Sequence, residues 1–439
     1  MTMTRVVVVG GGMAAARLAG QLSAAGSAVD LTVIGEEPCA PYNRVLLAEV
    51  LAGRYAPEVA ALPEPSAARW LRGVRAVRLD RAERRVLCDD GSSVPYDTLV
   101  LATGSNPVLP PLRGLFPHPG GGPGGGLGGG PDAARGDRGL PRGVHPFRTL
   151  SDCRALAEEA RPGVRAVVVG GGLLGVSAAR ALTERGVRTV LAHQGEHLME
   201  RHLDAGASAL LREHLEGLGV EVHTECRVRA LETAPPPGAG HGPRAVTAVR
   251  LADGYRLEAE LTVLACGVRP RTGLARAAGL TVREGIVVDD ELRTSDPRIH
   301  AIGDCAEHGG TVYGLAGAAQ DQADALARVL LAGSDGPAAY TGTRALTRLT
   351  LAPSATGSGR PLDLAAFGET VPGPRDDVVH LTDATRSVYR KVVVRGDRLV
   401  GGILLGDLGT VGALARTWEG DEPLPPAPLL HLITNDGGL

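Results

Sequence analysis

A single lysine, Lys391, stands among the 46 Lys and Arg residues, and Gly, Ala and Arg dominate the 439-residue chain. That imbalance is the mark of a GC-rich coding sequence and carries no functional message. Net charge is also scarce: the formal value is −3, so no global basic field exists to attract nucleic acid or an anionic membrane surface. Long apolar runs are missing. The run after Arg5 is only VVVV before glycines interrupt it, and no stretch reaches the ~20 residues a membrane span needs. The expected state is a soluble, cytoplasmic protein. Six cysteines, Cys39, Cys88, Cys153, Cys226, Cys266 and Cys305, contain no CxxC and no short ligand-like spacing. They offer no disulfide framework, zinc site or iron–sulfur ligand set, and no metal site is expected. Each reads as a small buried apolar side chain.

Hydrophobic residues make up 44% of the chain, enough for two or three domains with their own cores. A Gly/Pro-rich tract, HPGGGPGGGLGGGPDAARGDRGLPRG, lies within residues 116 to 143. Such a composition cannot bury enough apolar surface to offset its ordering entropy, so it reads as a flexible insertion. TAPPPGAGHGPRA, at residues 233 to 245, reads as a long hairpin connection. On either side of the large insertion the sequence repeats itself. A glycine turn at Gly10 is followed by DTLVLATG, ending at Gly104; a second turn at Gly170 is followed by ELTVLACG, ending at Gly267. From about Gly336 the texture changes to short β-branched runs parted by Gly and Asp, which suggests a small antiparallel sheet. YRKVVVRGDRLVGGILLG is its clearest hairpin, with Gly396 and Asp397 in the turn.

The first turn has the form Gly10-x-Gly12-x-x-Ala15, directly after a strand and opening a helix. Small residues there let backbone N–H groups and the helix N-terminus approach a pyrophosphate. Glu36 closes the next strand, DLTVIGEE, placed to accept ribose hydroxyls. The stretch VVVGGGLLGVSAARALTERGVRTVLAHQ repeats the pattern at Gly170, Gly172 and Gly175, but ends on His193 where a carboxylate is usual. RIHAIGDC ends an apolar strand in Gly303-Asp304, at the carboxyl edge of a sheet. A carboxylate there can accept hydrogen bonds from a ribityl chain.

Taken together, Gly10/Gly12/Ala15, DTLVLATG, Gly170/Gly172/Gly175 and Ile302-Gly303-Asp304-Cys305 resemble the two-dinucleotide-binding-domain flavoproteins of the pyridine nucleotide-disulfide oxidoreductase superfamily. The resemblance implies an α/β fold: two Rossmann-like domains, for FAD and NAD(P), plus a small C-terminal α+β domain. Its expected boundaries are 1–115 and 271–335 for FAD, 144–270 for NAD(P), and 336–439 for the C-terminal domain. It implies FAD contacts at Gly10, Gly12, Ala15, Glu36, Arg44, Ala102, Thr103, Gly104, Gly303 and Asp304. NADH or NADPH would meet Gly170, Gly172, Gly175, His193 and Gly267.

The place of a redox cysteine in thiol-dependent relatives is filled here by Leu46, which argues against a thiol mechanism. Ferredoxin and rubredoxin reductases of this fold carry Arg followed five residues later by Lys; this chain has Arg44 and Glu49. That form looks like the flavoprotein portion of assimilatory NAD(P)H nitrite reductases and the electron-transfer subunits of assimilatory nitrate reductase. VIGEEP, YNRVLL, LMERHLD and YRKVVVRGDRLVGGILLGD support it. No cysteine follows Cys305, so the iron–sulfur and sirohaem segments of those enzymes have no counterpart in this sequence.

On this resemblance the chain is an FAD-dependent reductase that passes electrons from NAD(P)H to a separate acceptor protein, a nitrate or nitrite reductase or a ferredoxin-like partner. Arg44 and Glu49 are the candidate catalytic residues, each with a surface-residue alternative on the helix VLLAEVLAG. Two departures stand out. Ser177 replaces an acid near the nicotinamide, and His193 replaces the acid that selects NADH, so that with Arg201 nearby NADPH use becomes open. A ferredoxin or rubredoxin reductase and a non-catalytic flavin-binding scaffold are the competing readings.

Overall fold

The computed structural model describes residues 3–26, 29–116, 139–235, 244–332, 339–344, 346–351, 361–424 and 428–434. Most of the Gly/Pro-rich insertion and the middle of the 233–245 connection lie outside them. The chain divides into two compact units, Met1–Leu46 with Ala56–Asn106 and Val268–Ala345, and Leu47–Tyr55 with Pro107–Gly267 and Leu346–Leu439.

The first unit is built on a five-stranded parallel sheet in the order Ile299–Ala301, Thr98–Leu101, Thr4–Val9, Val29–Gly35, Ala68–Arg72. VVVV lies at its centre, with Val6 to Val9 all buried, as a strand covered on both faces requires. The helix Met13–Ala24 follows the glycine turn and packs along Ala316–Ala332. Arg17 joins the two helices by donating to Asp324 at 2.7 and 2.8 Å, and Gln21 adds a third bond to the same carboxylate. The last strand of the sheet comes from Ile299–Ala301, which brings Gly303 and Asp304 to the carboxyl edge beside the first turn.

The second unit repeats the arrangement. Its parallel sheet runs Glu221–His223, Arg188–Ala192, Arg165–Val169, Leu261–Leu264, Val144–Pro146. The internal sequence repeat has a direct physical cause. Gly10 has φ +119 and Gly170 has φ +112, and a Cβ on either would overlap the carbonyl oxygen of Ala102 or Ala265 respectively. Those alanines hold the same place in DTLVLATG and ELTVLACG, so each eight-residue segment is the strand that closes over its own glycine turn.

The C-terminal sheet is antiparallel, in the order Thr347–Leu351, Leu362–Gly368, Arg398–Leu405, Val388–Arg395, Asp377–Asp383. Gly396, φ +63, and Asp397 form its tight hairpin turn. The helix Val411–Glu419 buries Leu414 and Trp418 against the sheet. The α/β class with a small C-terminal domain is thus as the sequence implies.

Within the second unit, Asp204 links the helix Ala205–Gly217 to the C-terminal sheet. Its carboxylate caps the helix Ala205–Gly217 through Ala207 N–H, and accepts from Tyr389 Oη at 2.6 Å and from Lys391 Nζ at 2.7 Å. Burial works against the Asp204 charge, but these donors hold its carboxyl below the usual carboxylate range. Lys391→Met should therefore cost about 1–2 kcal/mol at neutral pH, read as a lowered denaturation midpoint. A depressed carboxyl stabilises fully above its unfolded pKa of about 4 and loses that contribution as pH falls through its lower folded value. The gap between wild type and variant should accordingly close on acidification.

Candidate functional site

Each glycine turn delivers the same device. Gly12 and Gly172 precede the helices Met13–Ala24 and Leu173–Glu184 without any side-chain cap, and a Cβ on either would meet open space. Both helix N-termini therefore present backbone donors and positive dipole ends that a pyrophosphate can approach closely. Gly175 is bound more tightly, since a Cβ there would overlap the Gly170 carbonyl oxygen, whereas the first helix accepts Ala15 at full burial.

In the first unit, the segment after Thr98–Leu101 and the segment after Val268–Pro270 wrap together. Thr103 Oγ1 donates to the Arg271 carbonyl at 2.7 Å, and Arg271 N–H donates to the Gly104 carbonyl at 2.9 Å. Arg271 also forms an ion pair with Glu36. Asp304 sits in the short helix Gly303–Cys305, accepts from Ser105 Oγ at 2.8 Å, and places its field on Arg44. Arg44 lies on the short 3-10 turn Arg44–Leu46, donates to Glu37 and stacks 5.0 Å over the Tyr42 ring. Burial opposes its charge, but Glu37, Tyr42 and Asp304 together hold the guanidinium above its ordinary range, firmly cationic.

Two residues in this site escape a reading of motifs alone. Glu37 accepts from both Tyr42 Oη, at 2.8 Å, and Arg44, and so orients the cation. Gln322, 1% exposed on the helix Ala316–Ala332, accepts from Gly303 N–H at 2.7 Å and fixes the turn that carries Asp304. Behind it stand Tyr340 and Thr343, whose hydroxyls are 2.7 Å apart. The adjacency of Glu37 to Glu36 was the only sequence signal for the first, and nothing local marks the second.

Glu49 belongs to the second unit, on the helix Leu47–Leu51. There it pairs with Arg180 and, at 3.5 Å, with Arg54, while Glu184 takes Arg180 at 3.0 Å and Arg54 at 2.7 Å. Arg180 is 2% exposed; burial pulls its guanidinium below the ordinary range against the opposing pull of Glu49 and Glu184. Such a network closes on itself electrically. Arg180→Met should cost about 2 kcal/mol of stability, read by denaturant titration, because two partly buried carboxylates would be left to Arg54 alone.

Ser177 is also committed locally: its hydroxyl donates to the Leu173 carbonyl at 2.7 Å, one helical turn back. His193 closes onto the turn. Its Nδ1 accepts from Gly171 N–H at 3.1 Å, and Met199 N–H donates to the Gly171 carbonyl at 2.9 Å, folding the following loop over the glycines. Around both sheets the thiols are raised: burial pushes Cys153 and Cys266 up to about 11 and shifts Cys305 upward as well. None of the six cysteines is in a disulfide. Thiolate chemistry at neutral pH is disfavoured at those three positions. Among the described residues, no cluster suited to a metal ion occurs, and no helix is long and apolar enough to cross a membrane.

Residues 4–323 match the family model described as pyridine nucleotide-disulphide oxidoreductase, and residues 359–417 match the rubredoxin NAD+ reductase C-terminal domain. The chain is 32% identical over 413 residues to the nitrite reductase [NAD(P)H] of Bacillus subtilis (strain 168), covering 93% of this chain and 46% of that one. It is 32% identical over 416 residues to the assimilatory nitrate reductase electron transfer subunit of the same organism, covering 93% of this chain and 48% of that one. The chain therefore spans about half the length of these curated relatives. Among solved structures, the ferredoxin reductase for the CYP199A2 system from Rhodopseudomonas palustris is similar at a TM-score of 0.77 and 25% identity, covering 96% of each chain. The putidaredoxin reductase of a covalent complex with putidaredoxin shares the fold at a TM-score of 0.81, with 24% identity and full coverage of both chains. With two uncapped glycine turns and two parallel sheets already in view, the chain belongs to the pyridine nucleotide-disulphide oxidoreductase family, as an oxidoreductase that uses FAD and NAD(P)H.

Proposed function

We propose that the chain takes electrons from NADH or NADPH in its second unit, through FAD in its first, and hands them to a separate protein of nitrate or nitrite assimilation. The observation that carries this reading is the paired device at Gly10 and Gly170, in a chain 32% identical over 93% of its length to a nitrate reductase electron transfer subunit. Bound FAD supplies the redox chemistry, accepting a hydride and releasing electrons. The chain's own residues do the rest. The uncapped turn at Gly12 and the Glu36 carboxylate suit a pyrophosphate and a ribose, Asp304 suits a ribityl hydroxyl, and the cationic Arg44 would favour negative charge on a flavin held in this unit. No proton-transferring side chain is required. On this reading Arg44 would act as an electrostatic catalyst, whereas Glu49 is paired with Arg180.

Delivery to a ferredoxin-like partner is the second reading. A probable ferredoxin reductase of Castellaniella defragrans is 34% identical over 306 residues, covering 68% of this chain and 67% of that one, which favours it. Purified protein, NADH and NADPH, and in turn a nitrate reductase, a nitrite reductase and a ferredoxin as acceptor separate the two. Turnover with the assimilatory enzymes and none with the ferredoxin supports the first reading. The reverse pattern replaces it.

A further inference from the structure

Glu200 lies in the LMERHLD stretch, and the fold brings its carboxylate just past the end of the strand Arg188–Ala192, where the second unit would be expected to read a ribose. A Cβ on Gly195 would overlap the Glu200 carboxylate and lie 2.8 Å from His193 Nε2, so the two groups flank one bare Cα. Because His193 Nδ1 accepts the Gly171 N–H, the ring proton belongs on Nε2. That Nε2–H is buried and has no acceptor among the described residues. The ring itself lies over Gly171, whose Cβ position would be 2.7 Å from His193 Cγ. Nδ1 is thus committed to the glycine turn. Glu200, exposed, presents its carboxylate beside the same Gly195. The neighbouring Arg201 is exposed, and it does not supply any of the atoms nearest the Gly195 Cβ position.

We infer that Glu200 is the residue that selects the nicotinamide nucleotide, and that the selection favours NADH over NADPH. A carboxylate accepts the two hydroxyls of an unmodified ribose and repels a 2′-phosphate. The acid missing from position 193 is thus supplied from the loop that folds back over it. The inference rests on the reductase reading above.

Equilibrium binding of NAD+ and NADP+ by calorimetry, alongside kcat/KM for NADH and NADPH, tests it. Wild type should prefer the NADH form, Glu200→Gln should shrink that preference roughly tenfold or more, and Glu200→Arg should reverse it. Arg201→Gln should leave the ratio in place. An unchanged ratio of dissociation constants in Glu200→Gln, or a wild type that prefers NADP+, overturns the assignment while leaving the reductase reading intact. A wild type that binds neither nucleotide removes both.

Discussion

Gly10→Ala is expected to purify without FAD. The residue has φ +119, a region costly to any side chain on the order of 1–2 kcal/mol, and its new methyl would overlap the Ala102 carbonyl oxygen. Relief requires the turn to move away from the strand Thr98–Leu101, and with it the uncapped start of the helix Met13–Ala24. Displacing that helix start by even 1 Å removes the donors suited to the pyrophosphate. The colourless protein should still bind NAD+ or NADP+ by calorimetry, because the second unit has its own sheet and its own turn. Retention of FAD at wild-type stoichiometry would contradict the placement of the flavin in the first unit.

Gly170→Ala is the mirror experiment. With φ +112 and the Ala265 carbonyl in the way, the same strain falls on the second turn. The protein should purify yellow, with full FAD, yet its flavin should be reduced by NADH and NADPH at least about 100-fold more slowly, the scale expected when a reactant is misplaced by about 1 Å. Single-turnover flavin reduction under anaerobic conditions reads this directly. Equal loss of FAD in both glycine variants would show that the two turns do not divide the labour.

The parts of this molecule that were legible in the sequence are those in which the backbone itself imposes the residue. Gly10 and Gly170 must be glycine because a carbonyl oxygen occupies the place of a Cβ, and the strands ending in Ala102 and Ala265 must run just there. Constraints of that kind leave the same short pattern twice. The hairpin at Gly396 is legible for a related reason, since a two-residue turn demands a positive φ. Side-chain pairings across long stretches of sequence leave no such trace. Glu49 meets Arg180 at a separation of 131 residues, and Lys391 meets Asp204 at 187. Each residue alone looks like a surface charge, and only the packed fold assigns it a partner. His193 falls between the two cases: its departure from the acidic pattern was plain, but the Gly171 bond that occupies its Nδ1 depends on how the 194–203 loop folds back.

The central claim is that one chain holds a flavin in one unit and a nicotinamide donor in the other so that electrons pass between them. Anaerobic mixing of the FAD-loaded protein with a single equivalent of NADH or NADPH addresses it without any acceptor or variant. The account predicts that the visible flavin band bleaches, with one nucleotide oxidised for each flavin reduced. A flavin band that stays unbleached with both nucleotides would contradict it, and would leave a flavin-binding protein that does not use nicotinamide.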